Sequence, residues 1–170
     1  HEAGINFIDS ADIYGRDPKL GRGSSEIHFG QALKQSGLRR DDFYIQSKAG
    51  LFADETGRIT RYDSSKKHLL TAVDGILERM GIDYLDSFLI HRPDPLMEPE
   101  EVAAAFDELQ KAGKVRHFGV SNFNPQQIEL LQQACSQRLL IDQLQFSIMH
   151  TGMIDFGLHT NMTDPASLNH

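Results

Sequence analysis

Four side chains of this sequence are of the types that proton transfer to a carbonyl requires. Asp9, Lys48 and His91 each end a short apolar run typical of a β-strand, and Tyr14 lies five residues after Asp9. A tyrosine phenol has a pKa of about 10 and releases its proton poorly at neutral pH. We expect the ammonium of Lys48 to lower the pKa of Tyr14, while Asp9 holds that ammonium in place. As a hydrogen-bond donor, His91 would orient a carbonyl and stabilise charge on its oxygen, so the set predicts carbonyl reduction.

The elements that must position these side chains alternate between strand and helix. Five runs rich in β-branched and aromatic residues predict strands at residues 5–9, 43–48, 87–91, 117–121 and 140–146. The segments between them carry apolar residues three and four apart, which predicts helices that lie with one face on a sheet. One helix is expected to begin after Ser65, and Asn124 begins another with the proline and glutamine of a capping box. Repeated strand and helix units predict a parallel sheet, because each crossover returns the chain in the same direction.

Two parallel folds remain, the doubly wound sheet and the barrel. A doubly wound dinucleotide-binding domain would have a G-x-G-x-x-G turn after its first strand. Here residues 9–12 follow that strand without a glycine, and Gly21-Arg22-Gly23 comes too late and lacks the third glycine. We therefore predict an α/β fold, a parallel (β/α)8 TIM barrel, present as about five strand and helix units. Residues 1–170 are expected to form a single incomplete barrel domain that lacks the first strand and the last units.

Composition narrows the classes of partner and the compartment. Acidic residues exceed basic residues by 24 to 17 without a basic stripe, so we expect no nucleic-acid partner. No apolar run approaches the roughly 20 residues of a transmembrane helix, and no signal peptide opens the chain, so we expect no membrane partner. The single Cys135 can form no intrachain disulfide and is expected to be a small buried side chain. These features predict a cytoplasmic protein, whose oligomeric state the sequence does not reveal.

The surroundings of the four side chains resemble the aldo-keto reductase superfamily, a group of barrel-shaped, nicotinamide-dependent oxidoreductases. The first signature of the family matches Asp9-Ser10-Ala11-Asp12-Ile13-Tyr14-Gly15, and Glu26 and Gly30 match its end. The catalytic lysine of the family matches Lys48, which follows Phe43-Tyr44-Ile45-Gln46-Ser47. The catalytic histidine matches His91, which follows Ser87-Phe88-Leu89-Ile90. It implies that hydride passes from NADPH to an aldehyde or ketone. Tyr14 would then be the general acid, Lys48 the group that adjusts its pKa, Asp9 the partner of the lysine, and His91 the donor that orients the carbonyl.

The same resemblance implies three cofactor-binding residues. Gly119-Val120-Ser121-Asn122-Phe123 is similar to the family segment whose serine and asparagine hold the nicotinamide carboxamide, and Gln143 matches the third amide partner. Ser121 and Asn122 could instead cap the turn into the next helix, although Asn124 fills that role better. The family's groups for the pyrophosphate and the 2′-phosphate have no match here. We therefore expect this piece alone to bind NADPH weakly or not at all.

Other functions stay open at this point. The same scaffold could be a regulatory or binding module that senses a nucleotide without significant turnover, since some members of the family sit on ion channels. A truncated remnant without activity is a second alternative. Asp86 and Asp94 near His91 would suit a metal-dependent hydrolase, but a hydrolase would not need Ser121, Asn122 and Gln143. The histidines lack zinc-site spacing and Cys135 lacks a partner cysteine, so we predict no metal site.

Two segments are expected to shape access for a small carbonyl substrate. Residues 16–23 and 51–62 follow the first two strand ends and are predicted to be loops. Phe52 and Tyr62 are the candidate apolar walls in the second of them. The identity of the substrate and the direction of the reaction do not follow from these residues.

Overall fold

The structure is a computed structural model that describes residues 3–151. In chain order its elements are β1 (Phe7–Asp9), β2 (Arg16–Asp17), β3 (Gly21–Arg22), α1 (Ser24–Ser36), a 3₁₀ helix (Arg40–Asp42), β4 (Tyr44–Ala49), β5 (Leu51–Ala53), β6 (Ile59–Tyr62), α2 (Lys66–Met80), β7 (Leu85–Ile90), α3 (Pro99–Lys111), β8 (Val115–Ser121), α4 (Pro125–Ala134) and β9 (Leu139–Gln143). No helix in this range is long and apolar enough to cross a membrane.

The main sheet has five strands in the order β1-β4-β7-β8-β9, and every neighbouring pair is parallel. The five predicted strands are therefore confirmed, with ends displaced by at most three residues, as when the last strand ends at Gln143 rather than at residue 146. Helices α1 to α4 connect them in turn, which returns the chain to the same end of the sheet before each strand. All five carboxyl ends consequently lie at one edge, which we call the carboxyl rim.

The predicted loops at residues 16–23 and 51–62 were wrong in part, because each contains an antiparallel hairpin. Strands β2 and β3 form the first hairpin, and β5 and β6 form the second. In the second, the carboxylate of Asp54 accepts hydrogen bonds from Thr56 N and Arg58 N, and Gly57 takes the positive φ of 94° that closes the turn. Strands of two to four residues are too short for a periodic pattern to reveal them.

Local capping fixes the helix starts that the sequence predicts. Ser65 begins α2 by accepting a hydrogen bond from His68 N at 3.3 Å, and Gly81 ends it in the left-handed conformation. Asn124 accepts from Gln127 N at 2.9 Å, while the side chain of Gln127 accepts from Asn124 N at 3.0 Å. The predicted capping box is confirmed.

The apolar core lies between the outer face of the sheet and the helices. Phe106 of α3 stacks on Phe118 of β8 with ring centroids 4.2 Å apart and meets Phe88 of β7 edge-on at 6.5 Å. Cys135 is buried as predicted, and burial raises the pKa of its thiol to about 11, so it remains protonated. On the inner face, Gly119 permits close approach of β9, because a Cβ there would lie 2.4 Å from the carbonyl oxygen of Ile141.

Candidate active site

The carboxyl rim brings together the side chains predicted to do chemistry. Asp9 ends β1, Lys48 is the penultimate residue of β4, and His91 directly follows β7. Because β4 pairs with both β1 and β7, these strand ends are neighbours. Tyr14 lies on the segment that leaves β1, and its ring faces both Lys48 and His91.

Lys48 and Asp9 form a short ion pair at the centre of the site. The Lys48 ammonium donates to Asp9 Oδ1 at 2.6 Å and to the carbonyl oxygen of Ser10 at 2.7 Å, and its side chain is only 1% exposed. Burial lowers the pKa of Lys48, and the hydrogen bond and charge of Asp9 oppose that effect. Burial likewise acts to raise the pKa of Asp9, but hydrogen bonds from Lys48, Gln143 and Gln46 outweigh it, so the pKa of Asp9 is lowered.

Tyr14 stands over this ion pair with 38% of its surface exposed. The Lys48 nitrogen lies 5.3 Å from the centroid of its ring, and the ring of His91 meets it edge-on at 5.6 Å. Burial raises the pKa of Tyr14, the negative charge of Asp9 raises it further, and Arg92 partly opposes both. This direction is opposite to the one expected from the sequence. The reason is that burial, the largest effect, and the negative charge of Asp9 both disfavour the charged phenolate.

His91 is a neutral imidazole. It is 7% exposed, and burial together with the charges of Lys48 and Arg92 lowers its pKa to about 4. Its Nδ1 is buried and has no hydrogen-bond partner among residues 3–151. A neutral imidazole carries one N–H and can therefore donate one hydrogen bond to a carbonyl oxygen at the rim.

Ser121, Asn122 and Gln143 gather beside His91 at the ends of β8 and β9. Ser121 Oγ donates to the carbonyl oxygen of Gln143 at 2.9 Å, and Asn122 Nδ2 donates to Ser121 Oγ at 2.9 Å and to the carbonyl oxygen of His91 at 3.0 Å. Gln143 Nε2 donates to Asp9 Oδ2 at 3.0 Å. Within residues 3–151, Asn122 is the one non-glycine residue with positive φ, at 66°, a strained conformation typical of functional sites.

The chemistry of this second group suits a carboxamide ligand. One hydroxyl and two amide side chains present both donors and acceptors, which a carboxamide needs on its oxygen and its nitrogen. The residues thus fit the nicotinamide end of the cofactor that the resemblance implies. Their hydrogen bonds to Asp9 and to the backbone carbonyl of His91 also connect them to the ion pair and to the main chain of His91.

The two hairpins form a wall on the rim. Arg22 of the first hairpin donates to the carbonyl oxygen of Ala53, and Arg16 donates to that of Glu55, so arginines join the hairpins. The half-buried ring of Phe52 packs against His68 with centroids 4.8 Å apart, whereas Tyr62 is 37% exposed. Phe52 therefore supports the wall, and Tyr62 is available at its surface.

Several residues that organise the site were missed in the sequence. Gln46 donates to Asp9 and lies two residues before Lys48, so period-two alternation already placed the two on one face of β4. Arg92 follows His91, and its positive charge lowers the pKa of both His91 and Tyr14. The sequence could not reveal this role, because an arginine beside a strand end is common and its distance to the two rings is not known from the sequence.

Asp12 is a further titratable group on the segment that carries Tyr14. Its Oδ1 is fully buried and has no hydrogen-bond partner within the described residues. Burial, and then the negative charge of Glu26, raise the pKa of Asp12 to about 7 against the opposing charges of Arg79 and Arg22. Because the folded chain binds this proton more tightly than the unfolded chain, Asp12 destabilises the fold increasingly as the pH rises from about 4 through 7.

Asp12→Asn should therefore stabilise the protein at high pH alone. We expect the free energy of unfolding to rise on the order of 2 kcal/mol at pH 8, where wild-type Asp12 is ionised, and to change little at pH 4.5, where it is protonated. Urea unfolding followed by circular dichroism at the two pH values measures this. Equal effects at both pH values would show that the charge of Asp12 is not the cause.

Comparison with known proteins agrees with this architecture. The model of the Aldo/keto reductase family matches residues 1–163. Oxidoreductase YdhF of Escherichia coli is 40% identical over 155 residues, which cover 90% of this chain and 50% of the relative. A 6-dehydroglucose reductase of Agrobacterium fabrum is 40% identical over 152 residues, which cover 87% of this chain and 49% of that protein. The chain thus spans about half the length of the curated relatives it matches.

A solved structure shares the fold. The thermostable aldo-keto reductase Tm1743, determined with the inhibitor epalrestat, superposes with a TM-score of 0.73 at 30% identity, over 88% of this chain and 48% of its own. The prediction that the parallel strands and helices are a portion of a (β/α)8 barrel is confirmed. With a family match over nearly its whole length and relatives that are oxidoreductases, the chain belongs to the aldo/keto reductase family.

Proposed function

We propose that the protein carrying this chain reduces an aldehyde or ketone with hydride from NADPH. The observation that carries the proposal is the short Lys48–Asp9 ion pair directly below the ring of Tyr14 and beside the neutral imidazole of His91. A carbonyl oxygen that gains an electron pair needs a proton donor and a hydrogen-bond donor at one point. Tyr14 and His91 are the groups on this rim that offer them.

Each of the four residues has a distinct role in this proposal. The phenol of Tyr14 is protonated at neutral pH and acts as the general acid, and because its pKa is raised, release of its proton depends on stabilisation of the tyrosinate. As the phenol releases its proton, the ammonium of Lys48 stabilises the tyrosinate, and Asp9 holds that ammonium in position. His91 remains neutral because its pKa is about 4, and it orients the carbonyl with its N–H.

The cofactor role rests on the second group of residues. Ser121, Asn122 and Gln143 would hold the nicotinamide carboxamide, and a bound NADPH supplies the hydride. The preference for NADPH over NADH is part of the proposal and follows the family resemblance. We further propose that residues 1–170 are one incomplete barrel domain of a cytoplasmic protein whose substrate is a small carbonyl compound. The A. fabrum relative, a 6-dehydroglucose reductase, makes oxidised sugars a reasonable class to test.

A direct assay tests the proposal. The full-length protein is mixed with NADPH and a panel of aliphatic, aromatic and sugar carbonyls, and NADPH oxidation is followed by absorbance. Cofactor binding is measured separately by fluorescence with NADPH and with NADH. Turnover with any carbonyl supports the reductase. Tight binding without turnover would favour the nucleotide sensor, and a lack of both would favour an inactive remnant.

A further inference from the structure

A row of three polar side chains crosses the inner face of the sheet and ends at Asp9, the acidic partner in the ion pair. Strand register places Asp9 of β1 beside Gln46 of β4, and Gln46 beside Ser87 of β7. Both Gln46 and Ser87 are buried. We call these three residues the polar row. Buried polar groups cost free energy unless they are hydrogen-bonded, and apolar side chains would fill this position of a barrel at lower cost.

The hydrogen bonds of the polar row run in one direction, toward Asp9. Ser87 Oγ donates to Gln46 Oε1 at 3.0 Å, and Gln46 Nε2 donates to Asp9 Oδ1 at 2.7 Å. The serine therefore satisfies the amide oxygen, which leaves the amide nitrogen to face the carboxylate. The reverse orientation of the amide would place its oxygen against a carboxylate oxygen, where two acceptors repel each other.

The result is a carboxylate that is held from more than one side. Oδ1 of Asp9 receives hydrogen bonds from both Gln46 and Lys48, the latter at 2.6 Å, and Oδ2 receives one from Gln143. Donors at several positions fix the orientation of a carboxylate and favour its ionised form. Asp9 lies near solvent at the rim, with 31% of its side chain exposed, so water would otherwise compete for these positions.

We propose that Gln46 and Ser87 are positioning residues for the reduction, which act through Asp9 by holding its carboxylate in the orientation that pairs with the ammonium of Lys48. Within residues 3–151, the hydrogen bonds of these two side chains lead to Asp9 and not to Tyr14. Their role rests on the proposed function, because it concerns the ion pair that supports the proton donor. It goes beyond that function because it adds two supporting residues to the four predicted catalytic side chains.

The first test needs no turnover. The carboxyl carbon of Asp9 is titrated by NMR in full-length protein labelled at aspartate, for the wild type, Gln46→Met and Ser87→Ala. Gln46→Met keeps the length of the side chain but removes its donor, so we expect the pKa of Asp9 to rise by about one unit. Ser87→Ala should give a smaller rise, because the amide loses the partner of its oxygen but can still donate.

Kinetics provide the second readout. We expect Gln46→Met to lower kcat about tenfold at neutral pH, because the carboxylate of Asp9 no longer holds the ammonium of Lys48 in place, and to leave KM for the carbonyl unchanged. The acid limb of the pH profile should move to higher pH, since Asp9 is protonated more easily, while the alkaline limb stays in place. Gln46→Met combined with Ser87→Ala should be no worse than Gln46→Met alone, because both act through one amide.

The matched control is Ser64→Ala. Ser64 is buried like Ser87, but its hydroxyl has no hydrogen-bond partner among residues 3–151, so its loss should change neither the titration nor the kinetics. An unchanged pKa of Asp9 in folded Gln46→Met would overturn the proposal. If Gln46→Met does not fold, the titration of Ser87→Ala decides in the same way. If the wild-type protein reduces no carbonyl, the proposed function is wrong. The NMR titration would still show whether Gln46 and Ser87 control the pKa of Asp9.

Discussion

Tyr14→Phe should lower kcat for carbonyl reduction by a factor of about 10² to 10⁴, the range that a positioned general acid contributes. Phenylalanine keeps the ring that packs edge-on against His91 and removes only the hydroxyl. The phenol of Tyr14 is protonated at neutral pH, and in the proposed function its proton goes to the reduced oxygen. Steady-state oxidation of NADPH with an aldehyde measures the loss, and fluorescence titration should show unchanged cofactor binding.

Tyr84→Phe is the matched control. Tyr84 directly precedes β7, at the end of the sheet opposite to the carboxyl rim, and its hydroxyl donates to Asp41 Oδ1 at 2.6 Å. The loss of this remote hydroxyl should leave kcat within about twofold. Wild-type activity in Tyr14→Phe would mean that the proton comes from another group, and the proposed role of Tyr14 would be wrong.

The placement of the catalytic candidates was predictable because it depends on topology. Once alternating units indicate a parallel sheet, Asp9, Lys48 and His91 at three strand ends must meet at one edge. The direction of the Tyr14 pKa was not predictable in the same way. It is a balance of burial and of opposite charges at short range, and the sequence specifies neither the distances nor the exposure.

The parts of the fold that escaped prediction are those without periodicity. The hairpins β2–β3 and β5–β6 depend on turn residues and on arginine contacts to backbone carbonyls, not on a repeated apolar pattern. The ion pair between Glu26 and Arg79 escaped for a different reason, since its partners are 53 residues apart and only the packing of α1 on α2 brings them together.

The contact between α1 and α2 gives a structural reason for Glu26 and Gly30, the two residues that match the end of the family's first signature. Glu26 of α1 is fully buried, and it accepts hydrogen bonds from Ser47 Oγ of β4 and from Arg79 Nε of α2, both at 2.7 Å. Gly30, one turn later, lies against the end of α2, where a Cβ would be 2.4 Å from the carbonyl oxygen of Met80. The pair of residues therefore fixes α1 to its neighbours and has a structural role.

Arg79→Met should lower the free energy of unfolding by about 3 to 5 kcal/mol, because it leaves the carboxylate of Glu26 buried without its cationic partner. Methionine fills much of the same volume between Gly23 and Gly75, so lost packing contributes little. Chemical denaturation of the purified protein measures the change. Replacing both partners, with Glu26→Leu and Arg79→Met together, should restore much of the stability, since neither charge of the pair is then left buried without the other.

Lys66→Met is the control for Arg79→Met, because it removes an ion pair of the same helix that is exposed and not buried. Lys66 also lies on α2 and pairs with Glu108 at 2.9 Å, but both side chains are about half exposed, so its loss should cost roughly 0.5 kcal/mol or less. If Arg79→Met were as mild as Lys66→Met, the Glu26 carboxylate would have to find water or another donor. The close packing of α1 on β4 and α2 would then be looser than the 2.7 Å contacts indicate.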